Sequence, residues 1–106
     1  MGRRLENLIF LHLRRKYKHI FYYKDKGECD FITMEKNTVK EAIQVCLTIN
    51  DENFDREFNG LLGAMQNLGL KEGYIVTLNQ SDLFEKEDMT IKMLPVHDFF
   101  ERFSKL

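Results

Sequence analysis

Val39-Lys-Glu-Ala-Ile-Gln-Val-Cys-Leu-Thr-Ile49 is the stretch on which the architecture turns. Ile43, Val45, Leu47 and Ile49 alternate with Ala42, Gln44, Cys46 and Thr48, so both faces are apolar or weakly polar. That is the mark of a strand buried on two sides. Asn50 and Asp51 follow as capping residues. Phe54, Phe58, Leu61, Leu62, Met65 and Leu68 then form an apolar stripe at helical spacing, with Gly69 near its end. Gly73-Tyr-Ile-Val-Thr-Leu78 reads as another buried strand. A strand, a helix and a second buried strand in this order predict a parallel crossover in a mixed sheet.

Working outward, Leu5, Leu8, Ile9 and Leu13 predict an amphipathic helix over residues 3–17. Residues 20–25 are β-rich and aromatic, Lys26-Gly27 supplies a turn, and residues 28–35 form the second arm of a hairpin. Asn37 sits in a polar turn. Beyond Leu78, residues 80–88 read as a polar loop and Met89 to Leu94 as a fifth strand. Pro95 suits the first turn of a last helix carrying Val96, Phe99, Phe100 and Phe103. The expected order is α-β-β-β-α-β-β-α, a three-layer α/β fold with a mixed central sheet.

With 106 residues the chain suits one compact domain. Sixteen Lys and Arg against 17 Asp and Glu give a net charge of −1, which predicts no general attraction to nucleic acid. The cations are unevenly spread: Arg3, Arg4, Arg14, Arg15, Lys16, Lys18, Lys24 and Lys26 crowd the first quarter. A basic surface on a neutral protein is one reading of them, and a solvated helix face is the other. No apolar run approaches the roughly 18 residues of a membrane span. Cys29 and Cys46 are too few for a disulfide framework, which suits a reducing, cytoplasmic compartment. No Gly-x-x-x-x-Gly-Lys-[Ser/Thr] sequence occurs, so no nucleotide site of the P-loop kind is expected.

Three polar residues stand in apolar company. Glu6 falls within the apolar arc of the first helix, Asp30 begins the buried part of the second strand on the face shared with Glu28, and Gln44 lies mid-strand in the most buried element. Each has a plain structural reading: a first-turn carboxylate favoured by the helix dipole, a bonded strand-end aspartate, an amide tied to a neighbouring loop. Taken together they converge at one end of the sheet, and acidic and amide oxygens that converge are what magnesium requires.

These residues, in this order of elements, resemble the PD-(D/E)XK nuclease superfamily. Gly2-Arg3-Arg4-Leu5-Glu6-Asn7 is similar to the first-helix motif of that family, and Gly27-Glu28-Cys29-Asp30-Phe31 to its Gly-x-x-Asp-Phe strand. Gln44-Val45-Cys46 falls where the family has Glu-Val-Lys. The chain also resembles, more closely, the nuclease-like C-terminal domain that follows the P-loop module in archaeal-type AAA ATPases of prokaryotes. There an Arg-Glu pair begins the second helix, as Arg56-Glu57 does here, and an Ile-x-Thr strand follows, as in Ile75-Val76-Thr77. The resemblance implies a C-terminal fragment of a larger ATPase, with the ATPase module as its missing partner.

It further implies a vestigial site of Glu6, Asp30, Gln44 and Cys46, and weak magnesium binding, if any, by Glu6, Glu28, Asp30 and Gln44. In the family the third-strand acid binds metal and the lysine handles the water or the developing charge. Gln44 is neutral and Cys46 supplies no fixed positive charge, so only a lysine from elsewhere, such as Lys24 or Lys26, could take that part. A Cys46 nucleophile lacks a basic partner in sequence, since His12, His19 and His97 lie on helical or turn segments. The expected function is therefore a non-cleaving accessory domain. It binds DNA or another nucleic acid through Arg3, Arg4, Arg14, Arg15, Lys16, Lys24 and Lys26, or docks on a protein partner or a second copy. A metal-dependent nuclease with a rearranged site is the alternative.

Overall fold

The computed structural model describes residues 2–25 and 27–104. Lys26, one of the expected nucleic-acid contacts, lies outside them, as does the side chain of Phe103. Helix α1 (Gly2–Arg14) leads into strands β1 (His19–Lys24), β2 (Glu28–Glu35) and β3 (Thr38–Val45). Helix α2 (Phe54–Leu68) follows, then β4 (Glu72–Thr77), β5 (Asp82–Lys86), β6 (Met89–Pro95) and helix α3 (Val96–Ser104). The six strands form one sheet in the order β1-β2-β3-β4-β6-β5. β1, β2 and β3 pair antiparallel, β3–β4 and β4–β6 pair parallel, and β5 returns antiparallel on the far edge. The fold is α/β, with helices on both faces of a mixed open sheet.

Each face carries its own core. Leu61 and Met65 of α2 cluster with Cys29, Ile32, Ala42, Ile75 and Ile91 of the sheet. Ile9 and Leu13 of α1 and Phe99 of α3 cluster with Ile43, Val45, Tyr74 and Val76 of the sheet. Ile43 and Val45 of β3 thus feed one core and Ala42 the other, which is why the strand reads as apolar on both faces.

Four expectations are corrected. Residues 80–88 are not a loop: Asp82–Lys86 is the edge strand β5, whose Phe84 packs at 5.2 and 5.4 Å from the rings of Phe54 and Phe58. Charges at Asp82, Glu85 and Lys86 hide it in sequence, and an edge strand needs such charges to discourage pairing with other chains. β3 stops at Val45 rather than Ile49. Its backbone nonetheless stays beside β4, with Cys46 donating to the Val76 carbonyl and Leu78 to the Leu47 carbonyl, both at 3.0 Å. The first helix ends at Arg14 instead of residue 17, and Tyr17 folds back with its amide on the Leu13 carbonyl. The residue before α2 is Asn53, not Asn50 or Asp51. Asn50 Oδ1 instead accepts from the amides of Glu52 and Asn53, and orders the approach to the helix.

Tyr17 locks the end of α1 to the sheet. It is 3% exposed, and its hydroxyl donates at 2.5 Å to Glu41 Oε1, which also accepts from Thr33 Oγ1 at 3.1 Å. Burial, then the Glu41 carboxylate, push the Tyr17 hydroxyl well above its ordinary value. Tyr17→Phe keeps the ring and deletes the charge-assisted bond, so chemical denaturation should read a loss of about 1–2 kcal/mol at neutral pH. An unchanged midpoint would mean that the bond adds nothing net.

Candidate functional site

The expected site residues lie where β2 and β3 part. Phe21 pairs with Ile32 and Tyr23 with Cys29, so Tyr22 faces both Asp30 and Phe31 and β2 bulges there. On the other side, the β2–β3 pairing stops at Phe31 and Ile43. Beyond that pair, side chains take over from the ladder. Gln44 Oε1 accepts the Asp30 amide at 3.0 Å, and Asp30 Oδ2 accepts the Val45 amide at 2.8 Å. Gln44 Nε2 donates to the Glu28 carbonyl at 3.1 Å and the Glu57 carbonyl at 3.4 Å. One buried amide thereby ties two strands to the first turns of α2.

Glycines make this approach possible. A Cβ on Gly60 would lie 2.9 Å from the Glu28 carbonyl oxygen, and one on Gly27 would lie 2.4 Å from the Gly60 carbonyl oxygen. The Gly27 of the Gly-x-x-Asp-Phe strand is thus a packing residue, and α2 sits directly over the start of β2.

Asp30 is half-buried, and its carboxyl is pushed up to about 6. Burial is the main cause. The Val45 amide opposes it, and repulsion from Glu6, Glu57 and Glu28 adds to it. Glu6, Glu28 and Glu57 thus act on Asp30 through their charge, and the Glu57 side chain, 16% exposed, pairs with Arg56 at 3.2 Å. Glu57 escaped notice as a site residue. Its signal was its place in the first turn of the helix that follows the central strand.

The cations around Asp30 are differently placed. Lys24 Nζ reaches Glu28 at 3.8 Å, and among the described residues no lysine or arginine forms an ion pair with Asp30. Arg3 and Arg4 lie on the first turn of α1, near Glu6. Arg14 ends the helix, about 15 Å from Arg4 along the axis at 1.5 Å per residue, and Arg15 and Lys16 follow it. The cations that are neighbours in sequence thus belong to opposite ends of the domain.

Gln44 is 4% exposed with both amide atoms bonded internally, and among the described residues no three His, Cys, Asp or Glu side chains are placed to hold a metal ion. This donor set does not fit the magnesium that the resemblance implies. Cys46 lies just past β3, its thiol donating to the Thr48 carbonyl at 3.3 Å and accepting from Asn53 Nδ2 at 3.6 Å. Burial, then Glu57, push that thiol up, away from the thiolate a nucleophile needs. Cys29 is fully buried, donates to the Ile43 carbonyl and is pushed up to about 12, mainly by burial.

A separate apolar cleft of about 480 Å³ runs between α1 and α3, lined by Leu8, Leu11, His12 and Phe100. His12 rests 4.7 Å from the Phe100 ring, its Nε2 buried without a partner among the described residues. Burial, then Arg15, hold its pKa down, so it sits there neutral.

No family model matches this chain, and no solved structure matches it. It is similar to an uncharacterized protein of Methanocaldococcus jannaschii, 40% identical over 91 residues. The match covers 80% of this chain and 20% of that protein, so the chain spans about a fifth of the length of the relative. No described helix is long and apolar enough to cross a membrane.

Proposed function

We propose that the chain is a PD-(D/E)XK-type domain that has lost cleavage and serves a larger AAA-type ATPase of the cytoplasm as an accessory nucleic-acid-binding domain. The observation that carries this reading is the state of Asp30. Around an active site of this family a lysine stands among the carboxylates, whereas here burial and three carboxylates raise Asp30 and, among the described residues, no lysine or arginine forms an ion pair with it. Gln44 supports it too, since its amide is committed to holding β2, β3 and α2 together. The much greater length of the relative suits a domain carried by a larger protein. A second reading, docking on the ATPase module or on a second copy, is favoured by Leu8 and Leu11, which are 53% and 62% exposed beside the α1–α3 cleft.

The test is to titrate magnesium and manganese into the chain and incubate it with labelled single-stranded, duplex and branched DNA. The expected result is no cleavage with either metal and salt-dependent binding that survives chelation. Metal-dependent cleavage that disappears in Asp30→Ala would replace this reading with a nuclease of rearranged site. No affinity for any nucleic acid would leave the docking reading.

A further inference from the structure

The end of the domain opposite Asp30 carries a second constellation. There a cleft of about 320 Å³ is lined by Lys16, Lys18, His19, Glu35 and Lys36, together with Tyr17 and Met34. Three lysines face one carboxylate, and among the described residues none of the three is in an ion pair. Lys16 Nζ lies 5.0 Å from the centre of the Tyr17 ring, and Arg14 donates to the Lys18 carbonyl at 2.5 Å, so the α1–β1 turn is held in place. Lys36 has φ 52°, in the left-handed region, at the first position of a two-residue turn where Asn or Gly is the usual occupant. The β2–β3 hairpin accepts that cost and places an amine at the cleft.

Next to these cations runs β1, an edge strand with one side free of pairing. Its aromatic rings are exposed: Phe21 is 49% and Tyr22 60% accessible. His19 and Phe21 lie two residues apart on one face, their rings 6.4 Å apart and within 8° of parallel. Flat rings in file beside a positively charged groove are what binds unpaired bases and their phosphates, because every base has a face to stack. A duplex keeps its bases stacked on one another and offers such rings nothing.

We infer that the β1 edge and the Lys16–Lys18–Lys36 cleft form a binding site for single-stranded nucleic acid, bases stacking on His19 and Phe21 and phosphates lying on the three lysines. This deepens the proposed function and rests on its nucleic-acid half. It moves contact away from the carboxylates of Glu6, Glu28, Asp30 and Glu57, which repel phosphate, to the far end of the sheet.

The experiment is fluorescence anisotropy of the chain with labelled oligo(dT), oligo(rU) and a DNA duplex of equal length, at several salt concentrations. Single strands should bind more tightly than duplex, and the two single-strand arms tell DNA from RNA. Phe21→Ala should weaken single-strand binding about fivefold to tenfold. Lys18→Ala with Lys36→Ala should weaken it further and reduce the salt slope by about 1.4. All three positions are exposed, and melting curves verify that the variants stay folded. Binding that ignores these changes but is lost in Arg3→Ala with Arg4→Ala overturns this site and leaves the proposed function standing. Duplex bound as tightly as single strands also overturns it. No binding to any probe removes the nucleic-acid reading itself.

Discussion

Replacing Gly27 by alanine is expected to cost the fold about 3 kcal/mol. The added methyl group would meet the Gly60 carbonyl oxygen at 2.4 Å, the Ala64 nitrogen at 2.9 Å and the Gly63 Cα at 3.1 Å. All three are backbone atoms of α2, so no side chain can swing aside. Either the helix lifts off β2, breaking the Gln44 bonds to Glu28 and Glu57, or the hairpin shifts and spoils the β1 pairing. Among the described residues, positive φ at glycine occurs only at Gly69, so steric room and not backbone freedom explains Gly27. Gly69 is the natural comparison. Its φ is 74° and nothing lies within 4 Å of an added Cβ, so Gly69→Ala should cost only the left-handed strain, about 1 kcal/mol. Urea denaturation of both variants checks the contrast. A Gly27→Ala midpoint at or above that of Gly69→Ala would mean that α2 has slack over β2.

The layering was legible because the two-faced burial of β3 and β4 leaves a signature in composition. Ile43 and Val45 serve one core, Ala42 and Ile75 the other, and helices must cover both faces. β5 was illegible for the opposite reason. It is an edge strand whose one partly buried ring, Phe84, is surrounded by charge, and it pairs only with β6, the next strand in the chain. The over-long reading of β3 arose because Leu47 and Ile49 continue its alternation after the chain has left β2. Gln80 then binds the Ile49 amide and carbonyl in place of a strand partner.

The site was legible in its members more than in its geometry. Glu6, Asp30 and Gln44 stand out as polar residues in apolar surroundings; Gln44 bonds the Asp30 amide, while Glu6 acts on Asp30 by charge alone. Alternation, however, has no means of showing a bulge. Cys29 and Ile32 both serve the α2 core although they are three apart, and it is the extra residue between them that turns Asp30 toward the Val45 amide. Nor does sequence spacing show which end of the first helix lies beside the carboxylates of the sheet. Cations that look like one patch in a row of letters serve two separate ends.

Asp30→Asn is expected to stabilise the chain by about 2 kcal/mol at pH 7.5 or so. The carboxyl of Asp30 titrates near 6 in the fold against 3.8 for an unhindered aspartate, so the folded state holds its proton more tightly than the unfolded state does. Stability from this group is therefore greatest below the unfolded value and is lost as pH rises through the folded one. The full shift would amount to about 3 kcal/mol, and partial solvent access reduces it. Asparagine keeps an oxygen for the Val45 amide and removes the charge that faces Glu6, Glu57 and Glu28. The gain should thus be full above pH 6, shrink as pH falls from 6 toward 4, and vanish below that, where the wild-type side chain is protonated in both states. Urea midpoints of the two proteins across that range decide it. An asparagine variant less stable at neutral pH would show that the charged bond to Val45 outweighs repulsion. A gain that persists unchanged at low pH would show that the aspartate charge was never the cause.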